Sequence, residues 1–166
     1  MAVHDQTPVQ SCILSVLIEN GAGVLSHVIG LFAARGFNID SLAVGETEDA
    51  TMSRITLVTK GDQRTLEQIK KQLNKLIDVI KVQDLTEEGF IDRELMLVKM
   101  RVTPQSKAVL KDISKYQVRV VEENAKFIIL ECVESLENTR KIFQALKDHG
   151  IHELAQTGTV ALSKKD

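Results

Sequence analysis

The chain has 166 residues, with 21 Lys plus Arg against 23 Asp plus Glu, for a formal net charge of -2. That balance excludes a basic surface built to neutralise a nucleic-acid backbone, and aromatic residues at 4% with no Trp leave no stacking platform for single strands. Hydrophobic residues make up 43% and charged residues 27%, the mix of a soluble globular chain, with no apolar run near the roughly 20 residues that span a bilayer.

Residues 1–10, MAVHDQTPVQ, read as a tail with neither a basic nor an apolar signal region, so the cytoplasm is the expected compartment. Residues 11–19, SCILSVLIE, form an apolar run expected as a buried strand. Val24, Leu25, Val28, Ile29, Leu31 and Phe32 then recur at helical spacing over 23–35, and Arg35 followed by Gly36 is a helix stop. Strands are expected over 38–46 and 52–59, joined by a polar hairpin. Asp62 can cap a helix running to about Leu76 with Leu66, Ile69 and Leu73 on one face. Residues 77–85, IDVIKVQDL, alternate as a fourth strand.

The acidic stretch TEEGFID, residues 86–92, reads as a linker, after which the order repeats. A strand is expected over 94–102, and Pro104 opens a helix ending near Tyr116. Strands follow over 117–121 and 126–133, then a helix capped by Ser135 through Leu146. A last strand over 151–162 is broken near Gly158. Each half therefore reads βαββαβ, so the expected class is α+β with two consecutive ferredoxin-like domains. The expected divisions are a tail 1–10, a first domain 11–86, a linker 87–93 and a second domain 94–166. With strand order 4-1-3-2 the second strand lies at an edge. About 80 residues make a thin core, so pairing between chains is expected.

No GxSxG elbow, phosphate-binding loop or HExxH is present, and the acidic pairs fall at predicted turns, so no catalytic residue and no metal site are expected. His149 and His152 lack further ligands nearby in sequence, and Cys12 and Cys132 sit inside apolar strands, where a buried, inert thiol is the simpler reading. ENGAGVL, residues 19–25, joins the first strand to the first helix. Gly21 and Gly23 let the backbone turn tightly, and the N–H groups at the helix start favour a small anion. Asn20 adds a donor and an acceptor. With no Lys or Arg in the loop a carboxylate fits better than a phosphate, and Val24, Leu25 and Ile39 suit an aliphatic group; the ligand these features describe is an amino acid. A plain strand-to-helix turn is the competing reading. Asn38 is either a turn residue satisfying nearby backbone or a polar contact to a ligand at the seam between chains.

Residues 13–62 carry the segments ENGAGVL, GLFAARGFNIDSLAVGETED and SRIT, followed by LEQIKKQLNKLIDVIKV at 66–82 and RELMLVKM at 93–100. Together with GIHELAQTGTVAL at 150–162 they resemble the ACT domain and closing segment of the acetolactate synthase (acetohydroxyacid synthase) small regulatory subunits. That resemblance implies a non-catalytic chain that activates a large catalytic subunit and confers feedback inhibition by valine or another branched-chain amino acid. Thiamine diphosphate, Mg and FAD would belong to the large subunit, none to this chain. It further implies a homodimer through the ACT domains, with Asn20, Gly21, Ala22, Gly23, Val24 and Leu25 of one chain and Asn38 and Ile39 of the other enclosing the effector. An ACT-domain sensor for a different biosynthetic enzyme is the alternative. Ala22 stands where many members have Pro or Ser, and Gln156 where many have Arg.

Overall fold

The computed structural model describes residues 9–165; most of the expected tail over 1–10, with His4, lies outside them. Two compact units result, one running up to Phe90 and resuming at Ala161, the other Ile91–Val160.

In the first unit β1 (Gln10–Glu19) leads to α1 (Val24–Arg35), β2 (Ile39–Glu46), β3 (Met52–Gly61), α2 (Gln63–Leu73) and β4 (Val79–Asp84). The antiparallel sheet has the order β2-β3-β1-β4, so β2 is an edge strand as its place in the pattern requires. β1 pairs with β3 along its whole length, from Gln10 opposite Gly61 to Glu19 opposite Met52. On one sheet face Cys12, Leu14, Val16, Ile18, Ile55 and Leu57 meet Val24, Val28 and Phe32 of α1 and Leu66, Ile69 and Leu73 of α2. Burial of large aliphatic side chains, at ~1.5–3 kcal/mol each, supplies most of what holds the two helices to the sheet.

Helix ends follow local chemistry. Asp62 caps α2 by accepting from the Thr65 N–H at 2.7 Å. α1 ends at Gly36, whose φ of 67° is open to glycine at little cost, and the Phe37 N–H reaches back to the Phe32 carbonyl at 3.0 Å. α2 stops at Leu73 rather than near Leu76, because Asn74 turns its side-chain amide onto the Lys70 carbonyl (2.9 Å) and closes the helix.

The acidic stretch expected as linker carries a short helix. Asp84 accepts from the Thr86 N–H and caps a one-turn helix, α3 (Leu85–Glu88), whose Leu85 is buried. β5 (Phe90–Arg101) starts directly after Gly89.

The second unit continues with α4 (Pro104–Ile113), β6 (Val118–Glu123), β7 (Phe127–Glu134), α5 (Leu136–Leu146) and β8 (Ile151–Gln156), and β9 (Val160–Ser163) closes the chain. Its sheet runs β6-β7-β5-β8. Met96, Val98 and Met100 of β5 alternate into a core with Val109, Ile113, Ile142 and Leu146. Thr103 and Ser106 satisfy each other's backbone N–H at the start of α4, with Pro104 in the first turn. The break in the last strand falls at Thr157, which exchanges hydrogen bonds with Leu95 before β9 resumes. Both halves thus show the βαββαβ order.

Candidate functional site

Residues 20–23 bridge β1 and α1, and four hydrogen bonds of Asn20 fix their path. The Asn20 N–H donates to the Thr51 carbonyl at 2.8 Å. Asn20 Nδ2 donates to the Ala50 carbonyl (2.9 Å) and the Glu46 carboxylate (3.1 Å), and Ser53 Oγ donates to Asn20 Oδ1 (3.1 Å). The Asn20 side chain thus ties the end of β1 to the β2–β3 hairpin, a structural task beyond the ligand contact its sequence position suggests.

Gly21, Ala22 and Gly23 are exposed. Gly23 holds φ at 84°, and α1 starts with no side-chain cap and no acidic residue in its first turn. Val24 N–H reaches the Gly21 carbonyl at 3.3 Å and His27 N–H the Gly23 carbonyl at 3.2 Å. The positive end of α1 therefore faces an exposed loop without a carboxylate of its own to neutralise it. Beside it lies an open depression of about 480 Å³, lined by Glu19, Asn20, Gly21, Thr51, Met52 and Ile80 among others.

The expected apolar contributors are placed differently. Val24 is 6% exposed and belongs to the core, and Leu25 and Ile39 pack partly against it. Ile80, exposed on β4 beside the depression, is an apolar wall that the sequence reading missed. Strict alternation would set Ile80 on the face of Val82; a register shift opposite Leu17 and Ile18 turns both Val79 and Val82 to the core and leaves Ile80 outside, which the sequence pattern does not mark.

Asn38 is exposed. Its Nδ2 donates to Asp40 Oδ1 (2.7 Å), Asp40 also pairs with Lys60 Nζ (2.7 Å), and the Asn38 carbonyl accepts from Thr59 Oγ1 (2.6 Å). The register then separates the candidate residues within one chain. Glu46, beside Asn20, sits opposite Ser53, whereas Ile39 sits opposite Thr59. From Ser53 to Thr59, at roughly 3.3 Å per residue, the distance is about 20 Å. Within a single chain, the loop at 20–23 and the pair Asn38–Ile39 occupy opposite ends of the sheet.

Among the described residues no group of three or more His, Cys, Asp and Glu is placed to hold a metal, and no helix is long and apolar enough to cross a membrane. Burial and the neighbouring Asp84 carboxylate, which accepts from Cys12 Sγ at 3.4 Å, push the Cys12 thiol up to about 12. Burial pushes Cys132 up to about 11. Neither is poised as a nucleophile.

Comparison with known proteins connects this geometry to a family. Residues 14–81 match the AHAS small subunit-like ACT domain, and residues 93–165 match the small subunit of acetolactate synthase. The acetolactate synthase small subunit of Mycolicibacterium smegmatis is 41% identical over 152 residues, covering 91% of this chain and 89% of that protein. The acetolactate synthase isozyme 3 small subunit of Salmonella typhimurium is 39% identical over 156 residues, covering 93% and 96%. A crystal structure of the acetolactate synthase small subunit from Thermotoga maritima superposes with a TM-score of 0.82 at 32% identity, covering 95% of this chain and 99% of that one. With both halves matched and the relatives aligned over nearly their full length, this chain belongs to the family of acetolactate synthase small subunits.

Proposed function

We propose that this chain is the non-catalytic regulatory partner of a large acetolactate synthase subunit, raising its activity and imposing feedback inhibition by a branched-chain amino acid, with valine the first candidate. Thiamine diphosphate, Mg and FAD belong on this reading to the catalytic partner, and the complex works in the cytoplasm. A sensor serving an unrelated enzyme is disfavoured because the second half also matches the small-subunit description, not the ACT domain alone.

The observation that carries the effector site is the exposed, uncapped start of α1 behind Gly21 and Gly23. Its N–H groups suit a carboxylate, and Ile80 offers an apolar wall to an aliphatic side chain. The separation of Asn38 from this loop points to a two-chain site. If two β2 edges pair antiparallel over Ile39–Glu46, Ile39 of one chain comes opposite Glu46 of the other, and Glu46 is bonded to Asn20. That arrangement brings the second chain's Asn38 to the loop and closes an otherwise open depression. An effector held across such a seam favours the paired state in which both halves are correctly placed, and a coupling of about 1–3 kcal/mol suffices for feedback.

The decisive experiment is co-purification with the cognate large subunit, followed by titration of acetolactate formation with valine, leucine and isoleucine. Gly23→Asp is the companion variant. The added Cβ meets no atom within 4 Å, Asp tolerates the left-handed conformation better than most residues, and its carboxylate occupies the anion position. The expected result is a co-purifying variant that no longer responds to the effector. A full response in that variant removes the site from this loop.

A further inference from the structure

Asp78, in the turn between α2 and β4, holds both flanks of the loop at 20–23. Its carbonyl accepts from the Glu19 N–H at 3.0 Å, on the strand side. Its carboxylate Oδ2 lies 2.8 Å from His27 Nδ1, on the helix side. His27 in turn donates its backbone N–H to the Gly23 carbonyl at 3.2 Å, so the imidazole sits one hydrogen bond away from the turn residue of the loop. The Asp78 side chain is 20% exposed and that of His27 62%. On the other flank Asn20 fastens the loop to the β2–β3 hairpin. Between the two fastenings Gly21, Ala22 and Gly23 are exposed, and the two glycines carry no side chain to set their position.

We infer that His27 and Asp78 act as a positioning pair for the effector loop, setting where the first N–H groups of α1 stand relative to β1. This rests on the effector reading given above. Neither residue lines the depression. They act through the backbone: Asp78 fixes the distance between the end of β1 and the first turn of α1, and a carboxylate recognised by α1 N–H groups is sensitive to that distance. Hydrogen-bonded groups lose strength within a few tenths of an ångström and with small angular errors. The pair is partly exposed, so its effect is modest. An interaction of this class changes an equilibrium by up to about fivefold.

The test uses the complex reconstituted with its large subunit and L-valine as the probe. His27→Ala and Asp78→Ala are each expected to raise the half-inhibitory concentration about threefold; the second keeps the carbonyl that receives Glu19. The double variant is expected to behave like either single one, because both remove the same contact. His27→Arg, whose guanidinium can reach the same carboxylate, is expected to restore the wild-type concentration, which a general loss of packing at His27 would not do. Unchanged inhibition in both single variants, additive losses in the double variant, or no rescue by Arg overturns the inference. Gly23→Asp run in parallel separates the two readings. Lost inhibition there with unaffected His27 and Asp78 variants removes the positioning pair alone, whereas retained inhibition in Gly23→Asp removes the loop site and the pair together.

Discussion

Asn20 and Asn38 are anchored to opposite ends of β3, Asn20 through Ser53 and Asn38 through Thr59. One protomer therefore presents the two residues as separate half-sites. The edge strand between them carries Val44, 47% exposed although it lies opposite the core residue Ile55. An apolar residue on the helix-side face of an unpaired edge wants cover that its own helices do not give. Val44→Lys is expected to shift the chain toward the monomer in sedimentation experiments and to weaken the effector response in parallel. An unchanged oligomer with Lys at this position places the pairing surface elsewhere.

Two glycines should respond to alanine in opposite directions. Gly30 lies inside α1, and a Cβ there meets nothing within 4 Å. Gly30→Ala is expected to raise stability by about 0.5–1 kcal/mol, because alanine costs less backbone entropy in a helix. Gly61 ends β3 where the chain turns into α2, and its Cβ would stand 2.9 Å from Thr65 Cγ2 and 3.0 Å from Thr65 Cβ. Thr65 is stiff at χ1 and its backbone is held by Asp62, so the clash has no easy outlet. Gly61→Ala is expected to lower stability by about 1–2 kcal/mol. Urea unfolding of the two variants checks both signs.

The βαββαβ order of both halves could be read from apolar periodicity because each element pairs or packs with near neighbours whose pattern is strong. The edge position of β2 followed from the topology. The acidic stretch at 86–92 could not be resolved the same way. Its acidic residues and Gly89 suggested a linker; that Asp84 caps α3 and that Leu85 is buried depends on chain packing rather than on composition. The site was half legible. Gly23 and the uncapped helix start were visible in ENGAGVL. The role of Asn20 was not, because its partners Glu46, Ala50 and Ser53 lie 26, 30 and 33 residues away. The burial of the Val24 side chain was hidden for a related reason: the first buried position of an amphipathic helix faces the sheet, not the loop before it.

The two thiols make the fold alkali-sensitive. In the unfolded chain they titrate near 9.0, whereas burial, helped at Cys12 by Asp84, holds Cys12 at about 12 and Cys132 at about 11 in the fold. Unfolding above pH 9 therefore releases protons, so the contribution is whole below pH 9 and is lost as pH rises toward 11 and 12. Cys132→Ala is expected to flatten part of that decline, while lowering stability at neutral pH through the cavity it leaves. At pH 8 a thiol reagent should label neither cysteine in the native protein and both after denaturation. Prompt native labelling at Cys12 contradicts the burial account.

Glu94, 2% exposed in β5, is satisfied by two neutral donors: Thr159 Oγ donates to Oε1 at 2.5 Å and Gln156 Nε2 to Oε2 at 2.8 Å. These bonds link β5 to both sides of the break in the closing strand. Thr159→Val keeps the shape and removes the hydroxyl from a fully buried site, so one carboxylate oxygen loses its donor where water has little access. The expected cost is about 1–3 kcal/mol. Gln156 is exposed, and Gln156→Leu is expected to cost less, about 1 kcal/mol, because water can take over its bond. The two changes share one acceptor group, so the double variant should depart from the sum of the single losses. Gln156→Glu sets a second carboxylate against Glu94 and is expected to cost more than Gln156→Leu. Urea titrations of the wild type and the four variants at pH 7 measure each of these. Equal stabilities throughout would mean that Glu94 holds the closing strand through other contacts.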